Sequence, residues 1–122
     1  MIAAGSTGSI PTTAAFLHAI ARLPHGAVVL PGLDRGLDDA AWQAIGGATD
    51  ADGRLAPPLP SHPQFALHGL LARFGLAREE AIGLAPPAPS GREVLASEAL
   101  RPSAATADWH TRLAEPAVAA AI

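Results

Sequence analysis

Ile2-Ala3-Ala4-Gly5-Ser6-Thr7-Gly8-Ser9-Ile10-Pro11, followed downstream by Ala27-Val28-Val29-Leu30, is the stretch on which the fold turns. Ile2 to Ala4 is a short apolar run that stops at a glycine turn. Ser9 stands where an N-cap would, and Pro11 suits the first helical turn. Phe16, Leu17, Ile20 and Leu23 then recur at helical spacing until Pro24-His25-Gly26 ends the pattern. Ala27 to Leu30 is β-rich without polar alternation, as in a strand buried on both faces. Strand, helix of about 13 residues and buried strand predict a parallel βαβ unit.

Beyond residue 34 the pattern is helical. Asp38 is placed to cap a short helix carrying Ala41, Trp42 and Ile45. Residues 46–61 read as a loop, with an Asp50-Ala51-Asp52-Gly53 turn and prolines at 57, 58 and 60. The clearest helix runs from about Pro63 to Phe74, with Leu67, Leu70, Leu71 and Phe74 on one stripe and Gly75 as its stop. Arg78 to Ile82 adds a turn, and Pro86, Pro87 and Pro89 make a second stiff loop. Ser90-Gly91-Arg92-Glu93 has capping-box spacing and opens a helix through Val94, Leu95 and Leu100. Thr106 begins another, which pairs Trp109 with Leu113, and the final Ala117 to Ile122 carries no stop signal. The expected class is therefore α/β, an N-terminal strand-helix-strand followed by a mostly helical segment with Pro-rich loops. The 122 residues form one partial domain: a βαβα portion over 1–45, a loop over 46–61 and a helical portion over 62–122.

Composition narrows the chemistry. Charged residues are 16% of the chain and aromatic residues 4%, against 49% hydrophobic, which is not the balance of a charged disordered tail. A formal charge of -3 argues against a basic nucleic-acid module. The chain has no Cys, which removes disulfides, thiolate nucleophiles and Cys-ligated metals. All eight basic residues are Arg. Met1 to Ser6 has no positive n-region, and the apolar run from Ala27 to Leu33 is interrupted by Pro31 and Gly32. A cytoplasmic chain without membrane contact is expected.

The weak candidates for a site are Gly5, Ser6, Thr7, Gly8 and Ser9, together with Asp34. A glycine turn between strand and helix is where phosphate loops sit. Yet it lacks the spacing and the Lys of a Walker loop, and Thr7 rather than Ser is central to it. Asp34, Asp38 and Asp39 cluster after the second strand, where α/β sheets host sites; capping accounts for Asp38 and Asp39, which leaves Asp34. Histidines 18, 25, 62, 68 and 110 form no H-E-x-x-H pattern and give no convergent ligand set. Asp50-Ala51-Asp52-Gly53 fails the calcium-loop pattern at its twelfth position, Ser61. No catalytic residue, metal ligand or cofactor is assigned.

Several longer blocks carry a more specific signal. Ala3-Ala4-Gly5-Ser6-Thr7-Gly8-Ser9-Ile10-Pro11, Ala19-Ile20-Ala21-Arg22-Leu23-Pro24 and Gly26-Ala27-Val28-Val29-Leu30-Pro31-Gly32-Leu33-Asp34 resemble the alphaproteobacterial AddB family. His62-Pro63-Gln64-Phe65 with Leu70-Leu71, then Ser97-Glu98-Ala99-Leu100-Arg101-Pro102 with Thr106 and Trp109, continue the likeness in order. AddB is a subunit of the AddAB helicase-nuclease of double-strand-break repair and recombination. The resemblance implies an internal segment of a RecA-like helicase domain, inactivated in this branch, with the nuclease carboxylates far downstream. It implies an AddA-like helicase-nuclease subunit as partner, with DNA reached through the parent complex. Ile2 to Gly5 would occupy the position of the Walker B strand, and Val28 to Asp34 that of the next helicase segment. An active Walker B strand ends in carboxylates that hold magnesium, and here no Asp or Glu precedes Asp34. The chain departs from the family where a basic pair usually follows His-Pro-Gln, since His68-Gly69 stands there. Two other readings remain: a self-standing α/β protein binding a phosphorylated ligand at Gly5–Ser9, or a helical interaction module.

The charge pattern generates the first prediction. Arg22, Arg35, Arg54, Arg73, Arg78, Arg92, Arg101 and Arg112 are spread along the chain, so few phosphates are neutralised at once. The chain alone should bind DNA with a Kd weaker than about 10⁻⁵ M at physiological salt. Fluorescence anisotropy with labelled duplex checks this, and submicromolar, salt-sensitive binding contradicts it.

Overall fold

The computed structural model describes residues 1–49, 52–85, 91–106 and 108–120. Two strands, β1 (Ile2–Ala4) and β2 (Ala27–Val29), pair in parallel with Ile2 opposite Ala27 and Ala4 opposite Val29. Helices α1 (Pro11–Ala21), α2 (Asp39–Gly46), α3 (Phe65–Phe74), α4 (Arg92–Ala99), α5 (Trp109–Leu113) and α6 (Pro116–Ala119) complete the order, with short 3₁₀ turns at Arg78–Glu80 and Ser103–Ala105. The chain is thus a small α/β protein, mostly helical, with a parallel two-stranded sheet near its start. Contacts divide it into two units, Met1–Leu33 with Pro63–Ala81 and Asp34–His62 with Ile82–Ile122.

In the first unit α1 follows β1 after the glycine turn. Pro11 supplies the fixed φ of a first helical residue, so the cap moves to Ile10, which gives no side-chain bond; Ser9 is not the cap. Ala14, Leu17 and Ile20 are buried along one face, and Ala14 and Leu17 join Leu70 of α3 in a cluster. Ala3, Val28, Leu30 and Phe74 pack against that cluster. The alternation of the strands decides the rest: Ala3 and Val28 turn inward, whereas Ile2 is 73% exposed and Ala4 and Ala27 are exposed as well. The expectation of strands buried on both faces is therefore corrected. The face carrying Ile2, Ala4 and Ala27 is largely exposed, with Val29 half-buried on it, and the face carrying Ala3 and Val28 lies against the cluster of α1 and Leu70. The helix α3 begins at Phe65, after Pro63 and Gln64, and ends at Gly75 in the left-handed region with φ 68°. Gln64 Nε2 donates to the Gly32 carbonyl at 2.9 Å, tying the start of α3 to the end of the β2 segment.

In the second unit Asp38 caps α2 as the sequence implies, its Oδ1 accepting from the Ala41 N–H at 2.8 Å. Ala41, Trp42 and Ile45 are buried, with Leu37 and Val118 also in the interior. The 3₁₀ turn Ser103–Ala105 packs against α2, and α6 packs against α4 and α5. In the 46–61 loop, Thr49 and Leu55 form an isolated antiparallel bridge. Asp50 and Ala51, the prolines at 86, 87 and 89, and Ser90 lie outside the described residues, as do Ala121 and Ile122. The expected capping box gives way to Gly91, the N-cap of α4 at φ 65°, with no side-chain bond. Nor does α4 bury an apolar stripe: Leu95 and Leu100 are exposed, and Ser97 and Glu98 are inside. Thr106 does not start α5. Its hydroxyl donates to the Pro102 carbonyl at 2.9 Å, and Asp108 caps the helix by accepting from the Thr111 N–H. Trp109 and Leu113 are both exposed.

Ile45 is fully buried, so Ile45→Ala should cost about 2–5 kcal/mol in urea denaturation followed by Trp42 fluorescence. Ile82 is 88% exposed, and Ile82→Ala should stay within about 0.5 kcal/mol of the parent chain. Equal losses at the two positions would contradict this account of the core.

Candidate functional site

The Gly5–Ser9 turn is shaped by two glycines with positive φ, Gly5 at 80° and Gly8 at 65°. Gly5 N–H donates to the Val29 carbonyl at 3.4 Å and so extends the parallel ladder by one residue. The Ser6 hydroxyl accepts from Gly8 N–H at 3.2 Å, closing the turn on itself. A side chain at Gly8 would meet Leu70 Cδ1 at 2.8 Å in a backbone conformation that disfavours L residues, so glycine is required there twice over. Beside the turn lies a shallow cavity of about 240 Å³. Gly8, Ser9 and Pro11 form one wall, and Phe65, Gly69 and Arg73 of α3 contribute the other. The first turn of α1 contains no acidic residue and no side-chain cap, so its N–H dipoles are uncompensated by charge. An uncapped helix start beside a cation is a place where an anion is electrostatically favoured.

Asp34 is not part of this arrangement. It belongs to the second unit, where its Oδ1 accepts from Gly36 N–H at 2.8 Å and Leu37 N–H at 3.2 Å. Its carboxylate thus shapes the turn that leads to Leu37. Asp38 caps α2 and also receives Arg101 NH1. Among the described residues, no three His, Asp or Glu side chains are grouped so as to hold a metal ion. Two histidines have partners distant in sequence: His18 stacks on Phe74 with centroids 5.4 Å apart, and His62 Nε2 donates to the Leu100 carbonyl at 2.7 Å. Burial pushes the His68 imidazole below its usual pKa.

The strongest electrostatics of the chain lie in the second unit, around Glu98. Arg112 donates Nε to Glu98 Oε2 at 2.7 Å and NH2 to Oε1 at 2.5 Å. Arg101 donates Nε and NH2 to the same two oxygens at 3.2 and 3.1 Å, and reaches Asp38 with NH1. Arg112 NH1 also bonds Glu115 at 2.7 Å. The Arg112 hydrogen bonds outweigh burial and, with Arg101, hold the Glu98 carboxyl down at about 2. For Asp38 burial acts upward, but the Ala41 N–H and Arg101 outweigh it and the pKa is lowered. Every charge here is satisfied by another, so the cluster clasps the cap of α2 to α4 and α5 rather than presenting a reactive group. The i, i+3 spacing of Glu98 and Arg101 is visible in the sequence. The reach of Arg101 to Asp38 across 63 residues is not. Likewise the α3 wall of the cavity had one local sign, the gap that Gly69 leaves between His68 and Leu70.

Comparison with protein-family models, with curated proteins and with solved structures gave no match. Among the described residues no helix is long and apolar enough to cross a membrane.

The clasp fixes a pH dependence. Glu98 has its folded pKa depressed from 4.5 to about 2, so its stabilisation is complete above 4.5 and is lost as pH falls toward 2. The depressed His68 acts in a separate window, weakening the fold as pH drops below 6.5. Glu98→Gln should lose about 1–3 kcal/mol at neutral pH, because Arg101 and Arg112 each lose a charged acceptor while keeping Asp38 and Glu115. It should also flatten the acid limb below 4.5 in thermal unfolding. An unchanged acid limb would show that Glu98 does not carry it.

Proposed function

We propose that the chain is a segment of an AddB-like subunit of an AddAB-type helicase-nuclease. Its role is that of a non-catalytic, helicase-like scaffold in double-strand-break repair, beside an AddA-like subunit. The observation that carries this reading is the ordered series of blocks from Ala3 to Asp34, at His62 to Leu71 and at Ser97 to Trp109. The parallel β1–α1–β2 arrangement is compatible with it, since a RecA-like sheet is built from parallel strands joined by helices. In this reading β1 takes the Walker B position. The strand runs out at Ala4-Gly5 with no carboxylate, and Asp34 is occupied by the N–H groups of Gly36 and Leu37. A helicase strand that coordinates magnesium needs a free carboxylate at its end. The open face of the sheet is what a doubly covered parallel sheet looks like where its second layer is supplied by other parts of a parent subunit.

A second reading is favoured by the cavity at Gly8, Ser9 and Arg73: a self-standing protein that takes a small phosphorylated ligand at the start of α1. The two readings separate by experiment. Under the first, the chain co-purifies with an AddA-like subunit when the two are co-expressed, and a chain recovered alone contradicts it. The first reading also has the chain bind no ATP analogue with magnesium. Micromolar, magnesium-dependent binding that is lost on substituting Gly5 or Asp34 would overturn it. Under the second, inorganic phosphate shifts the amide resonances of Gly8 and Ser9, and Arg73→Ala abolishes the shift.

A further inference from the structure

We propose that the outward stripe of α1 is a docking surface for one further helix, an amphipathic helix with an acidic flank. The proposal goes beyond the AddB-like reading and stands whether or not that reading holds. It begins from an imbalance in α1. The helix buries Ala14, Leu17 and Ile20, yet its opposite side is also apolar: Phe16 is 60% exposed, Leu23 just past its end is 45% exposed, and Ala15 and Ala19 are exposed between them. A helix that is apolar on both sides is the signature of a helix covered on both sides.

The spacing of the outward residues specifies what covers it. Thr12, Phe16, Ala19 and Leu23 follow one another at intervals of four, three and four residues, and all four are exposed. That is the seam by which one helix receives another, with Phe16 and Leu23 as the projecting side chains and Thr12 and Ala19 as the gaps. A strand would need residues at alternate positions instead. Charge then selects among helices. Residues 1–33 contain no Asp or Glu. Arg22, the exposed C-cap residue of α1, makes no side-chain hydrogen bond or ion pair among the described residues. An incoming helix with Glu beside its apolar seam places carboxylates against Arg22 and meets no like charge from this segment, whereas a Lys-flanked helix meets repulsion.

The test uses the 122-residue chain and a synthetic amphipathic helix with Leu at its seam and Glu on its flanks, beside a second peptide carrying Lys in place of every Glu. Saturable binding of the Glu peptide is expected, with the Lys peptide weaker by about two- to fivefold, the discrimination one exposed arginine supplies. Phe16→Asp, at an exposed position and with an unchanged circular dichroism spectrum as its control, should weaken the Glu peptide by about tenfold. Arg22→Glu should reverse the preference between the two peptides. Equal affinity for both peptides, or binding indifferent to Phe16→Asp, overturns the proposal. So does Phe16-dependent dimerisation in sedimentation, which would make a second copy the occupant. Phe16-dependent binding to phosphatidylglycerol vesicles in preference to the Glu peptide would do the same, in favour of a lipid surface.

Discussion

The junction of Ala14 and Leu17 with Leu70 is the contact on which the N-terminal unit depends. Two parallel strands of three residues each have too few ladder bonds to persist in water on their own. They hold because Ala3 and Val28 lie against α1, and α1 is in turn pinned by Leu70 from α3. The same junction dictates the turn before it. Leu70 comes so near Gly8 that a side chain there would displace the Leu70 methyls, and the positive φ at Gly8 turns the chain from β1 toward α1. Packing at one point therefore sets the strand pair, the glycine turn and the mouth of the cavity together.

The second unit is held on a different principle. Its apolar interior is small, built on Leu37, Ala41, Trp42, Ile45 and Val118, and the helices around it are short. Glu98 makes up the difference by receiving four N–H bonds from two arginines, one of which reaches back to the cap of α2. Such a clasp is specific in geometry and costly to break, since removing one partner leaves charges in a desolvated place. Burial of the carboxylate is what separates this cluster from the pair of Arg78 with Glu79: Arg78 is buried as well, but Glu98 is 6% exposed whereas the Glu79 side chain is 65% exposed.

Local grammar made much of the fold legible. The glycine turn, Pro11, the cap at Asp38, the Leu67–Leu70–Leu71 stripe and the stop at Gly75 each follow from a rule about neighbours in sequence, and each is present. Local competition between neighbouring caps moves the helix starts away from Ser9, Ser90 and Thr106, whereas the misread burial concerns groups whose partner is distant in the chain. Glu98 belongs inside because of Arg101 and Arg112, so α4 buries its polar face while Leu95 and Leu100 stay outside. The strands have a largely exposed face because α1 and Leu70 of α3 gather on the side of Ala3 and Val28, which no property of Val28 itself reveals. The candidate site divides along the same line. Gly5 to Ser9 form a real turn beside a real cavity, but Asp34 serves its own backbone in the other unit. The cavity's cation, Arg73, comes from a helix that the turn does not point to.

What the molecule offers follows from these constraints: carboxylates already spent on N–H groups, a small cavity with Arg73 in its wall, and exposed apolar residues on α1 and the sheet. The sheet's dependence on the α1–α3 junction is tested most directly by amide hydrogen exchange in Leu70→Ala. The Ala27 N–H donates to the Met1 carbonyl at 3.0 Å across the strand pair and does not touch Leu70. Loss of its protection along with that of the α1 amides is the result this account requires. Protection of Ala27 unchanged from the parent chain, while α3 opens, would show that the strands stand without that junction.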